Sequence, residues 1–134
     1  MSDIAALRSD VNYNYTFGGA PGFGSGEHGV IKGEGKTVII QGSDNGVYVH
    51  EIRHIGQSMA NGGLRFSTRA ETLNRLLNAG SNSFQRTNFE VDGYRAQFSL
   101  YRNSYPAPGG ARVLADINAT SLKTIVGDNG SPLY

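Results

Sequence analysis

Two of the three histidines in the chain stand four positions apart, and this spacing constrains the fold more than any other feature. His50, Glu51 and His54 form an H-E-x-x-H motif, whose two imidazoles share one face when the segment is an α-helix. On a helix, both rings can reach a single Zn²⁺, and the glutamate between them can polarise a metal-bound water. The motif therefore predicts a helix, a zinc ion and a hydrolytic reaction.

The composition is typical of a small, loop-rich domain. The chain has 134 residues, of which 38% are hydrophobic and 19 are glycine, so it can build one modest core. Cysteine is absent, which excludes disulfides, thiolate metal sites and a cysteine nucleophile. Histidine and carboxylate side chains remain as the strong metal ligands. We expect a single α+β domain over residues 1–134.

Charge and hydropathy limit the partners of this chain. The net charge is +1, and no basic run interleaved with aromatic residues is present, so we expect no nucleic-acid partner. No apolar run approaches the roughly 20 residues of a transmembrane helix, so we expect no membrane partner. Residues 1–10 lack the pattern of a secretory signal. The expected location is the cytoplasm, or outside the cell as part of a larger exported protein.

Periodicity and turn residues predict the order of the elements. Alternating polar and aromatic positions up to Phe17 predict a short strand in residues 1–16. Residues 29–42 are typical of a hairpin, with its turn at 33–35 and a buried second arm. Capping residues and helical spacing predict four helices, spanning 46–60, 68–78, 84–102 and 113–126. A short sheet beside the motif helix and a second long helix is the expected architecture.

A catalytic zinc usually takes three protein ligands, so one more is needed. His28 lies upstream in a glycine-rich loop, and no further histidine follows His54. A carboxylate on a later helix is the other common solution, and the candidates are Glu71, Glu90, Asp92 and Asp116. Glu90 is favoured because its helix is expected to pack against the motif helix. Asp92 lies about 160° from Glu90 around that helix, so the two cannot face one metal without distortion.

The neighbourhood of Glu90, NFEVDGY at residues 88–94, resembles the second motif of the gluzincin metallopeptidases. In that family, a glutamate ligand lies on a later helix, and a small residue three positions on lets the two helices approach. Gly93 stands at this position, where alanine or serine is more usual. The resemblance covers about residues 37–60 and 84–102. It implies a zincin-like fold with zinc held by His50, His54 and Glu90.

The same resemblance implies a zinc-dependent endopeptidase acting on a peptide or protein. Glu51 would take a proton from the metal-bound water and pass it to the leaving amine. Tyr94, one turn beyond Glu90, would offer a hydroxyl to the oxyanion, although packing in the core explains a tyrosine there equally well. Carboxylates such as Asp92 or Asp116 are expected to orient the histidines. An extended substrate is expected to add to the edge of the sheet.

Two alternatives stay open. Residues 125–134 faintly resemble the tails of Rhs-type bacterial proteins, some of which end in metallopeptidase-like toxin domains. This resemblance implies a toxin-type protease with one specific protein target. The other alternative is a non-catalytic metal-binding or protein-interaction module.

Overall fold

The computed structural model describes residues 3–19, 29–70, 73–77, 83–100, 111–126 and 130–132. Its elements are α1 (Asp3–Ser9), β1 (Asn14–Gly18), β2 (Gly29–Glu34), β3 (Thr37–Gly42), α2 (Asn45–Ala60), α3 (Ser83–Leu100), a 3₁₀ turn (Leu114–Asp116) and α4 (Ala119–Leu122). A mixed sheet with the strand order β1-β3-β2 lies beside these helices, which confirms the α+β class. No helix among the described residues combines the length and hydropathy needed to cross a bilayer.

The hairpin expected at residues 29–42 is confirmed, but its turn is at 35–36 and not at 33–35, because Gly33 and Glu34 pair with β3. β2 and β3 pair antiparallel, with Ile31 opposite Ile40. Gly35 takes a φ of 58° in the turn, a left-handed conformation that glycine adopts without a steric penalty. β3 alternates between half-buried and buried positions, and Val38 and Ile40 are both 0% exposed. The β-branched arm therefore supplies the centre of the sheet, as its sequence predicts.

The N-terminal segment is a helix followed by a strand. β1 pairs parallel with β3, so the strand predicted from aromatic alternation is confirmed for Asn14–Gly18. The residues before it form α1, which the strand prediction missed. None of the α1 residues is buried, and only Leu7 packs against the apolar side of the sheet. Such a short helix leaves a weak periodic signal in the sequence.

The helix predicted at 68–78 is wrong, because the described residues there extend the sheet. Leu76 donates its N–H to the carbonyl of Ile31 at 2.8 Å, and Gly33 donates to the carbonyl of Asn74 at 2.8 Å. Asn74 has a φ of 65°, a left-handed conformation that asparagine tolerates and that interrupts a helix. Phe66 bridges to Leu76, so two further chain segments lie beyond β2. The capping-box spacing at Thr68 predicts a helix, but these long-range backbone hydrogen bonds outweigh it.

The motif helix begins and ends where its sequence predicts. The carboxylate of Asp44 accepts the N–H of Val47 at 2.9 Å and caps α2. Asn61 is the C-terminal cap, and the following Gly62 and Gly63 have φ values of 106° and 105°. The prediction of a helix over 46–60 is confirmed by α2.

The second long helix is also confirmed, because α3 covers most of 84–102. The single continuous helix predicted at 113–126 is wrong. It is divided into the 3₁₀ turn and the four-residue α4. The side chain of Asn118 accepts the N–H groups of Thr120 and Ser121 at 3.0 Å each, which starts a new helix at that point.

The apolar core has two clusters. The first joins the sheet to α2 and contains Ile31, Val38, Ile40, Ile52 and Ile55. The second joins α3 to the C-terminal segment and contains Val91, Tyr94, Phe98, Ile117, Leu122 and Ile125. The contact between α2 and α3 carries buried polar side chains, among them His50, Gln57 and Gln97. Because burying polar groups costs free energy unless they are hydrogen-bonded, this polar interface marks the candidate site.

Candidate metal centre

The two motif histidines project from α2 toward α3. Their Nε2 atoms lie 3.0 Å apart, and their ring centroids are 4.7 Å apart. The side chain of His50 is 6% exposed and that of His54 is 13% exposed. The one-turn spacing of the motif therefore brings both Nε2 atoms, the predicted metal-binding nitrogens, to the same partly enclosed point.

Glu90 completes this cluster from α3. One of its carboxylate oxygens lies 3.3 Å from Nε2 of His50, and the other lies 3.1 Å from Nε2 of His54. Among the described residues, these three are the one group of histidine and carboxylate side chains whose arrangement could hold a metal ion. The structure thus brings together the three ligands that the sequence predicts.

The spacing and chemistry of these donors fit a small divalent cation. Neighbouring ligand atoms of a tetrahedral zinc, with bonds of about 2.0–2.1 Å, lie about 3.3 Å apart. Here the two Nε2 atoms lie 3.0 Å apart. Nε2 of His54 lies 3.1 Å from one oxygen of Glu90, and Nε2 of His50 lies 3.3 Å from the other. Two imidazoles and one carboxylate also match the donor set of hydrolytic zinc sites.

Two other candidates for the third ligand, Asp92 and Asp116, are bound to groups outside the cluster. Asp92 points away from the histidines, and its carboxylate accepts the Nε–H of Arg53 at 2.9 Å. Asp116 accepts the backbone N–H groups of Arg112 and Val113, which lower the pKa of its carboxyl. His28 and Glu71 lie outside the described residues.

A glutamine orients each histidine of the cluster. Nδ1 of His54 lies 2.8 Å from Oε1 of Gln57, and Nδ1 of His50 lies 3.1 Å from Oε1 of Gln97. When each Nδ1 donates to an amide oxygen, each Nε2 presents a lone pair to the centre of the cluster. The expectation that Asp92 or Asp116 would contact the histidines is wrong, because these partners are amides.

Burial and the charge of Glu90 act in opposite directions on the titration of His54. Burial lowers the pKa of His54. The nearby carboxylates of Glu90 and Glu51 raise it by a larger amount, so that the pKa is about 9. Burial likewise raises the pKa of Glu90, and the two histidines more than reverse this and hold it well below its usual range. Because Nδ1 of His54 is engaged by Gln57, the proton is gained and lost at Nε2. A metal therefore competes with a proton for this nitrogen.

Gly93 determines how closely α3 approaches the cluster. It is buried, and a Cβ placed on it would lie 3.0–3.2 Å from three atoms of the His50 ring. A side chain at this position would displace the imidazole or separate the helices. The close approach of the two helices that the sequence predicts at Gly93 is therefore present. The residue that Gly93 contacts is His50, one of the predicted ligands.

Glu51 lies beside the ligand cluster, next to the first residue of β2. A Cβ placed on Gly29 would be 2.6 Å from Oε1 of Glu51, so the carboxylate packs directly over that glycine. Glu51 is half-buried, and its charge contributes to the raised pKa of His54. It thus lies close enough to act electrostatically on the centre without belonging to the cluster.

Tyr94 contacts the cluster through its ring. Its centroid lies 4.2 Å from that of His50 in an edge-on arrangement, and the residue is 5% exposed. It also belongs to the apolar cluster of α3. This packing favours a role in holding the His50 ring in place, and the role of the hydroxyl stays a prediction.

Gln57 and Gln97 are the site residues that the sequence interpretation missed. Gln57 lies three positions after His54, and Gln97 lies seven positions after Glu90, so each shares a helix face with a ligand. This spacing is the signal that would have identified them. It is a weak one, because glutamine is also common on solvent-facing helix surfaces.

Neither protein-family models, nor curated protein sequences, nor solved structures gave a match to this chain. A function for this chain is therefore inferred from the geometry of His50, His54 and Glu90.

Proposed function

We propose that this chain is a zinc-dependent endopeptidase of the gluzincin type. The convergence of Nε2 of His50, Nε2 of His54 and the Glu90 carboxylate within 3.0–3.3 Å carries this proposal. The order of the residues along the chain supports it, with an H-E-x-x-H helix first and a glutamate on a later helix second. The small residue three positions after that glutamate, Gly93, packs against His50 as the family pattern requires.

A zinc ion held by these three side chains would supply Lewis acidity, which polarises a carbonyl and makes water more acidic. Glu51 is the proton carrier in this proposal. Its carboxylate accepts a proton from the attacking water and donates it to the leaving amine, as general base and then general acid. Its carboxylate lies against Gly29 and outside the ligand cluster, so it would not be a metal ligand itself.

The position of the substrate is restricted by the extended sheet. The outer edge of β2 is bonded to Leu76 at Ile31 and to Asn74 at Gly33. An extended peptide therefore cannot add to β2 along these residues, and its addition to the edge of the sheet stays a prediction for other positions. Access to Glu51 is expected at the Gly29 end of the strand.

The test compares zinc content and peptide hydrolysis in the wild type and in Glu51→Gln. Glu34→Gln is a matched control, because Glu34 is an exposed carboxylate at the far end of β2. We expect one zinc per chain in all three proteins. Cleavage of reduced and denatured protein substrates should be lost only in Glu51→Gln, and undiminished cleavage by that variant would overturn the proposal.

The same experiment separates the alternatives. Zinc binding without cleavage of generic substrates, followed by cleavage of one partner protein, would indicate a toxin-type protease with a specific target. Zinc binding without any cleavage would indicate a non-catalytic metal-binding module.

A further inference from the structure

Gln57 is a buried amide at the junction of α2 and α3, and its two ends have different partners. The residue is 5% exposed. Its Nε2 donates to the backbone carbonyl of Phe89 at 3.0 Å and to the carboxylate of Asp92 at 3.4 Å. Its Oε1 lies 2.8 Å from Nδ1 of His54.

These partners determine the orientation of the amide. A backbone carbonyl and an ionised carboxylate only accept hydrogen bonds, so the nitrogen of Gln57 must face Phe89 and Asp92. Its oxygen then faces His54, and an oxygen can only accept. Nδ1 of His54 must therefore carry a hydrogen, which leaves Nε2, the nitrogen that faces Glu90, as the atom that can lose its proton and bind a metal.

Asp92 is itself held in place by Arg53 of α2, and Arg53 is in turn bound to the N-terminal helix α1. Arg53 donates its Nε–H to Asp92 at 2.9 Å and contacts Asp3 through Nη1 at 2.8 Å. The connection runs from Arg53 to Asp92, from Asp92 to Gln57, and from Gln57 to His54. A residue that the sequence offers as a rival ligand thus touches the centre only through an intervening amide.

We propose that Gln57 is a positioning residue for metal binding, which selects the tautomer of His54 and is anchored by Phe89 and Asp92. This inference rests on the proposed metal site but not on peptide hydrolysis. An amide suits the position because one end must donate and the other must accept. Gln97, 2% exposed and 3.1 Å from Nδ1 of His50, is the counterpart at the other histidine.

The test measures zinc affinity by competition with a chromogenic chelator, and Co²⁺ absorption spectra report the geometry of the centre. Gln57→Met keeps the length of the side chain and removes all three hydrogen bonds. We expect zinc affinity to fall about 10–100-fold, the range for loss of an outer partner of a ligand. Gln41→Met is the matched control, because Oε1 of Gln41 is buried without a partner. It should bind zinc as the wild type does.

A second variant guards against misfolding of Gln57→Met. The Asp92 side chain is 47% exposed, so Asp92→Ala should fold. It removes the weaker of the two anchors, and we expect zinc affinity to fall about two- to fivefold.

Two results would overturn the inference. If the wild type binds zinc, His50→Ala does not, and folded Gln57→Met binds as tightly as the wild type, Gln57 has no positioning role. If the wild type itself binds no zinc, the proposed metal site fails together with this inference. Loss of affinity in Gln57→Met with an altered Co²⁺ spectrum, and no change in Gln41→Met, is the supporting result.

Discussion

Gly93 lies against the imidazole of His50 so closely that a Cβ on the glycine would be 3.0 Å from Nε2, the atom that faces Glu90. This contact joins α3 to the motif helix α2 at His50, a proposed metal ligand. Because Gly93 has no side chain, the imidazole of His50 on α2 can occupy this position next to α3.

Gly93→Ala should weaken zinc binding about tenfold, because the His50 ring must move to accommodate the methyl group. Gly56→Ala is the matched control. It is also a glycine within a helix, but its added Cβ would meet the carboxylate of Asp3 and, at 3.5 Å, Nη1 of Arg53, neither of which belongs to the ligand cluster. Both variants gain about 1 kcal/mol of intrinsic helix stability. Zinc titrations of the two variants check the prediction, and equal affinities would contradict it.

Glu90→Gln and Asp92→Asn make the same chemical change two positions apart on α3. Glu90 contacts both Nε2 atoms, whereas Asp92 contacts Arg53 and Gln57. We expect zinc affinity to fall more than about 100-fold in Glu90→Gln, beyond the usual effect of an outer partner. Asp92→Asn keeps an acceptor oxygen and should stay within about threefold of the wild type. Isothermal titration measures both, and the reverse order would make Asp92 the ligand.

The stability of the protein in the presence of a chelator should depend on His54. Its pKa is raised from 6.5 to about 9 by the Glu90 carboxylate, against the effect of burial. The stabilising contribution of the protonated ring is therefore complete below pH 6.5 and is lost as the pH rises through about 9. We expect the free energy of unfolding in urea to fall across this window. His54→Asn should show a flatter profile, and identical profiles would contradict the ion pair.

Gly29→Ala should impair catalysis more than metal binding. A Cβ on Gly29 would lie 2.6 Å from Oε1 of Glu51 and 2.6 Å from Cγ1 of Val47, so both side chains must shift, while none of the three proposed ligands is among its nearest contacts. We expect kcat to fall about tenfold or more, as for a displaced general base, with zinc affinity unchanged. Gly19→Ala, whose Cβ would meet nothing within 4 Å, is the control. Normal turnover in Gly29→Ala would argue against Glu51 as the proton carrier.

Local signals account for most of what the sequence predicts correctly. The cap at Asp44, the H-E-x-x-H spacing and the stop at Gly62 all act within a few residues, so α2 could be predicted closely. Glu90 could be named because its helix and its neighbour Gly93 carry a recognisable pattern. The hairpin of β2 and β3 is likewise encoded by adjacent residues.

Long-range contacts explain the failures. The cap-like spacing at Thr68 predicts a helix, but bonds from Asn74 and Leu76 to β2 decide the structure there. Whether Gln57 is buried depends on α3, which lies about 30 positions away in sequence and is packed by tertiary contacts that propensity does not encode. The orientation of His54 by an amide could therefore not be predicted from the motif.

Crystals grown with zinc, with diffraction measured on both sides of the zinc absorption edge, test the metal centre most directly. We predict one strong anomalous peak about 2.0–2.1 Å from Nε2 of His50 and from Nε2 of His54, with Glu90 as the third protein ligand. The absence of a peak between these side chains, or a peak bound by Asp92 instead of Glu90, would contradict the proposed site.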